Sequence, residues 1–176
     1  MKRNVARLML VGALPLAGLL AQPAPAAPSP VVGSATGSGH MVRPDGTFRS
    51  FSFSARKYAD GSVNGQLQLN SRSFDVFVHI AIDCLRIEGN RAHMSGRITF
   101  SSNLAEGVVG ELNRVVVQDN GEGHGVIDQV SRIPANSAGV DQRTCLDPPG
   151  VSSAADPFGL LPLRDVHRGN VQVRGE

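Results

Sequence analysis

FDVFVHIAIDCLRIEGNRAHMSGRITF, residues Phe74 to Phe100, reads as two long strands folded back on each other at Gly89-Asn90. A glycine opening a two-residue loop accepts the positive φ that a turn matched to strand twist requires. Counting outward from that turn sets Glu88 opposite Arg91, Ile87 opposite Ala92 and Leu85 opposite Met94. One face then collects Ile87, Ala92, Leu85, Met94, Ala81, Ile98 and Phe100, and the other collects Glu88, Arg91, Arg86, His93, Cys84, Ser95, Ile82 and Arg97. A slip of one residue would exchange the faces, so this sorting supports the turn. Two polar residues fall on the apolar face in this register: Asp83, opposite Gly96, and His79, opposite Phe100.

The segments around this ribbon alternate in the same way. Thr47 to Lys57 puts Phe51, Phe53 and Ala55 on one side, and Val63 to Leu69 puts Val63, Gly65, Leu67 and Leu69 on one side. Parity between them requires a loop of three or five residues, with Phe53 facing Leu69 or Leu67 and Gly61 left-handed. Further strands are predicted at Ser38 to Val42, Leu112 to Asp119 and Val126 to Ile133, with a closing edge strand at Gly169 to Arg174. No segment carries a capped 3.6-residue period, so the fold expected is all-β. Seven or eight strands in an antiparallel meander would form a small barrel or a sandwich.

Lys2, Arg3 and Arg7 precede the apolar run Leu8 to Leu20 and the small residues AQPAPAAPSP, the order of a secretory signal peptide. The expected cleavage follows Ala26, with Ala21 as the alternative. Residues 27–37 then form a flexible lead-in, 38–133 the β core, and 134–176 a long loop with the closing strand. Loss of those three cations leaves 14 Lys+Arg against 15 Asp+Glu, a mature charge of −1. Nucleic-acid binding by bulk charge has no support in that balance, and the leader is too short to span a bilayer with ease. The protein is thus expected to be exported, secreted or periplasmic, and not membrane-spanning once the leader is removed. In an oxidising compartment, Cys84 and Cys145 are expected to pair and pin the loop around Cys145 to the outside of the sheet.

The runs IDCLRIEGNRAHMSGRIT and VVVQDNGEGHGVIDQVS resemble a pattern in exported bacterial proteins of unknown function. There an F-x-F strand precedes a C-L-x-V-x-G-N-x-A-x-x-x-G hairpin, and a V-x-D-N-G-x-x-G-x-x-x-D-x-x-S segment follows. The resemblance covers about Phe51 to Ser131 and implies a β-rich extracytoplasmic domain without transferable catalytic residues. Its Asp-Asn-Gly element is Asp119-Asn120-Gly121, its later acid is Asp128, and Glu122 and His124 fall where the pattern varies.

Asp83 is the first candidate for chemistry, because a carboxylate facing inward must be paired or protonated and could serve as acid or base toward a small ligand. His79 lies on the same face but about 13 Å away along the strand, too far to share a metal with Asp83. Asp119, Glu122 and Asp128 offer oxygen ligands for calcium, although their spacing is not that of an EF-hand, and Asp and Asn also stabilise turns without an ion. No G-x-S-x-G elbow, H-E-x-x-H helix or cofactor motif is present. Three roles follow: an exported binding or envelope-associated domain, a barrel enzyme or small-ligand carrier with an interior site near Asp83, and a calcium-stabilised adhesion module. The first leads, because no catalytic constellation stands out.

Overall fold

The structure is a computed structural model describing residues 28–42, 46–104, 107–131, 144–146 and 163–175. The predicted signal segment, Pro44-Asp45 and most of the predicted excursion after Pro134 lie outside them.

Alternation of apolar and polar residues produces nine strands: β1 (Val31–Val42), β2 (Phe48–Tyr58), β3 (Val63–Ser71), β4 (Val76–Glu88), β5 (Arg91–Ser101), β6 (Leu112–Gln118), β7 (Gln129–Ser131), β8 (Leu163–Asp165) and β9 (His167–Arg174). Their order is β8-β7-β6-β5-β4-β3-β2-β1-β9, with every neighbouring pair antiparallel. Only Val166 separates β8 from β9. The two ends of the sheet are therefore consecutive pieces of one segment, and the meander curls into a nearly closed barrel. The all-β expectation holds, and the 3-10 turn Arg72–Phe74 links β3 to β4.

The turns follow the sequence logic. Gly89 has φ +59 and Glu88 pairs with Arg91. Phe53 pairs with Leu67 across a loop in which Gly61 has φ +84. In that loop Asp60 accepts hydrogen bonds from the Ser62 hydroxyl and amide and from the Ser29 hydroxyl, which together hold its carboxyl below the usual carboxylate range.

The lead-in differs from expectation, because β1 begins at Val31 and not near Ser38. Gly33, Ala35, Gly39 and Met41 are buried, in the period of a strand whose inner face is made of small residues. A Cβ on Gly37 would lie 2.9 Å from the Phe53 ring, and one on Gly39 would overlap Val166 Cγ1. The glycines make room for a large interior ring, so what reads as a flexible stretch is a tightly packed wall.

The central hairpin keeps its register from the turn to the pair Cys84 and Ser95, and then shifts. Ile82 pairs with Gly96, which leaves Asp83 as the extra residue of a β-bulge. A second irregularity between the pairs Ile80–Ile98 and His79–Phe100 leaves Thr99 over on β5. Val76, Val78, Ile80 and Ile82 are consequently inside with Leu85, whereas Ala81, Asp83 and Phe100 are exposed. This corrects the predicted faces: Asp83 and His79 point outward and Ile82 inward. An in-register ladder would have buried an unpaired carboxylate and exposed isoleucines, each of which contributes about 1.5–3 kcal/mol on burial. Against that, one interrupted ladder step is the smaller loss.

The bulge fits only because Gly96 lies opposite, where a Cβ would overlap the carbonyl of Ala81. Gly96→Ala is expected to lower unfolding free energy by about 3 kcal/mol or more, read from the urea midpoint at unchanged m. A loss below about 0.5 kcal/mol would contradict the bulge.

The interior is filled by Phe51, Phe53, Leu67, Leu69, Val78, Ile80, Leu85, Met94, Val115, Val117, Val130 and Val171 in one continuous cluster.

Candidate functional site

Asp83 stands exposed on the outer wall, away from the filled interior. His79 lies on that wall too, edge-on to Phe77 at 4.5 Å and to Phe100 at 6.1 Å between ring centres. The two residues share no enclosed space, so the interior site expected around them is absent from the described structure.

Asp119, Glu122 and Asp128 are brought together, and what they contact is β9. One edge of β9 pairs with β1, but β7 is too short to supply a partner for the other edge. Asp128 Oδ2 accepts from Val171 N at 2.7 Å and Asp119 Oδ2 accepts from Val173 N at 2.9 Å, so two carboxylates stand in for the missing carbonyls of a neighbouring strand. Glu122 Oε1 accepts from Asn170 Nδ2 at 2.9 Å. The remaining oxygens hold their own loop: Asp128 Oδ1 accepts from Asn120 N, and Asp119 Oδ1 accepts from Gly121 N. Asn120 Nδ2 donates to Ile127 O, and Ser131 Oγ accepts from Val116 N. The acidic, amide and hydroxyl residues of the Asp-Asn-Gly segment thus close the barrel seam. A calcium ion would have to take oxygens already bonded to amides, and no group of three or more His, Cys, Asp or Glu suited to a metal occurs among the described residues.

The predicted disulfide is present. Cys84 and Cys145 are bonded with Cα atoms 5.8 Å apart, and Cys145 N donates to Ser95 Oγ at 3.0 Å. The segment around Cys145 therefore lies on the outer wall, as expected, and the bond is compatible with an oxidising compartment. His93 and Arg114, which point outward on β5 and β6, are nonetheless buried. His93 Nε2 sits 3.2 Å from Glu88 Oε2 without hydrogen-bond alignment. Burial, then the cations Arg86, Arg114 and Arg91, push the His93 pKa below its ordinary value, and Glu88 opposes them.

The unfolded chain consequently holds the His93 proton more tightly than the fold does. Its contribution to stability is complete above the unfolded pKa of about 6.5 and is lost as pH falls toward the lower folded value. Urea midpoints are expected to fall between about pH 7.5 and about pH 5.5, and less steeply in His93→Gln. An unchanged slope in that variant would contradict the assignment.

Among the described residues, a recess on the outer wall joins basic and aromatic groups. His40 of β1 pairs directly with His167 of β9, and Phe48 of β2 stands edge-on to His40 with ring centres 6.3 Å apart. These three and Arg168 line a cavity of about 400 Å³, within the roughly 300–1,000 Å³ of small-molecule sites. Its geometry comes from the seam. Gly39 and Gly169 let the backbones of β1 and β9 approach where a Cβ on Gly169 would overlap Ser38 O, and Arg168 next to it has φ +52. Sequence reasoning assigned no site to the four lining residues, because His40 and the pair His167 and Arg168 belong to strands from opposite ends of the chain. A second concavity of about 430 Å³, near the Gly89 turn, is lined by Val32, Gly33, Lys57, Ile87, Gly89 and Gly175 and offers one charged group.

Comparison of the chain with protein-family models, characterised proteins and solved structures finds no match. No helix among the described residues is long and apolar enough to cross a membrane. What the chemistry of the wall can do is therefore read from the wall itself: the recess offers imidazole nitrogens, one guanidinium and an aromatic face, which suit binding.

Proposed function

We propose that the chain is an exported, non-enzymatic β-barrel domain that binds a small ligand on its outer wall, in the recess between β1, β2 and β9. The observation supporting it is the division of labour among its polar residues. Asp119 and Asp128 are committed to backbone amides, Asp83 faces solvent, and His40, His167, Arg168 and Phe48 converge on an unfilled space. A scaffold role for the acids leaves the recess as the place where shape and chemistry meet.

The test is ligand-observed NMR on the mature chain, produced by export from a bacterial host, against a mixture of small organic acids, amines and sugars. The expected result is an N-terminus at Ala27, an intact disulfide by mass, and saturable binding of one class, with shifts confined to the amides around His40, Phe48 and Arg168. A chain retained uncleaved would contradict export, and no binder at about 1 mM would contradict the binding role.

A further inference from the structure

We infer that the ligand of this recess is a small carboxylic acid with an apolar body, a class exemplified by benzoate; the inference rests on the binding role proposed above. Four observations converge. Arg168 is the fixed cation of the lining, and its guanidinium presents paired N–H groups whose spacing matches the two oxygens of a carboxylate. His40 and His167 add imidazole nitrogens from paired positions of adjacent strands, where side chains stand about 5 Å apart on one face. Nδ1 of His40 is buried with no hydrogen-bond partner among the described residues, a state that polar atoms seldom keep unless a ligand or water completes them. Phe48 is 56 % exposed and stands at the recess, leaving an aromatic face for an apolar group.

A fifth observation concerns the backbone. Arg168 occupies the left-handed region at φ +52, where glycine or asparagine is the unstrained choice and a long side chain is disfavoured. Strain retained at a cavity lining points to a side chain kept for what it contacts. An anion held by Arg168 and the imidazoles, with its body against Phe48, uses each of these groups. Cationic or uncharged ligands would leave the guanidinium facing nothing.

The test titrates benzoate, with benzyl alcohol as its uncharged counterpart, into the mature disulfide-bonded chain, following backbone amide resonances. Benzoate is expected to bind saturably at about 1 mM or tighter, moving resonances around His40, Phe48 and Arg168, with benzyl alcohol at least about tenfold weaker. Arg168→Gly relieves the backbone, so its melting temperature is expected to equal or exceed that of the wild type while benzoate affinity falls about tenfold or more. Arg168→Lys, which keeps the charge but loses the fork, is expected to fall between them. Equal affinity for benzoate and benzyl alcohol would overturn the acid class and leave the binding role standing, as would saturable binding of an amine or sugar without benzoate. Benzoate shifts centred on Lys57 and Gly89 would overturn the placement, and a destabilised Arg168→Gly variant with wild-type affinity would show Arg168 to be structural only.

Discussion

Asp128→Ala is expected to cost about 2–3 kcal/mol, because its carboxylate accepts from the buried Val171 amide as well as from the Asn120 amide. Asp128 is 6 % exposed and Val171 is fully buried, so water cannot replace the lost partner. For a domain whose whole stability lies near about 5–15 kcal/mol, such a loss is a large share of the total. Asp128→Asn keeps one acceptor oxygen and turns an N–H toward the other amide, so it is expected to lose about half as much. Asp119→Ala, at a half-buried position, is expected to lose about 1–2 kcal/mol. Urea titration of the set checks the order, and a chelator is expected to leave every midpoint unmoved. An Asp128→Ala protein as stable as wild type would mean that the Asp128 carboxylate does not hold β9.

Replacing Cys84 and Cys145 together by serine is expected to lower stability by about 4 kcal/mol, since the bond closes a loop across 61 residues. The loss reaches beyond chain entropy. Cys145 ties its segment to the outward faces of β4 and β5, where its amide bonds Ser95 and the carbonyl of Leu146 accepts from Arg86 Nη1. Without the bridge His93 is expected to regain solvent, and the part of the pH dependence that it supplies should vanish. Denaturant midpoints of the double variant at neutral and mildly acidic pH read both effects. A full-strength loss of stability with the His93 slope intact would show that something other than the Cys145 segment buries the imidazole.

Much of this architecture is written in alternation. The Gly89-Asn90 turn, the odd loop before Val63 and the strands they join follow from where Phe51, Phe53, Leu67, Leu85 and Met94 must go to leave water. The bulge was written there too, in a form that counting from one turn overlooks. Apolar residues occupy even positions from Val76 to Ile82 and odd positions at Leu85 and Ile87, and a strand can change phase only by inserting a residue. Asp83 lies in that gap, so its outward position follows from the pattern of its neighbours. The strand β1 was hidden because its inner face is Gly33, Ala35, Gly37 and Gly39, whose small size answers two phenylalanines on another strand. No local pattern reports that demand.

The seam and the recess were illegible for a related reason. Asp119 and Asp128 look like ligands in a glycine-dense loop until β9, more than forty residues later, supplies the amides that they accept. His40 and His167 meet only after the barrel has curled and its last strand has returned to its first. Spacing along the chain carries information about neighbours in one hairpin. It carries little about partners that closure creates.

Closure of the wall by side chains in place of a strand is most directly read by hydrogen exchange at two amides, Val171 and Val173. If Asp128 and Asp119 accept those bonds, both amides exchange as slowly as those of Ile80 and Met94 in the centre of the sheet, and each becomes fast when its own aspartate is replaced by alanine. Rapid exchange of both in the wild-type chain, with β4 and β5 still protected, would mean that β9 has an open edge and that the barrel is not closed as described.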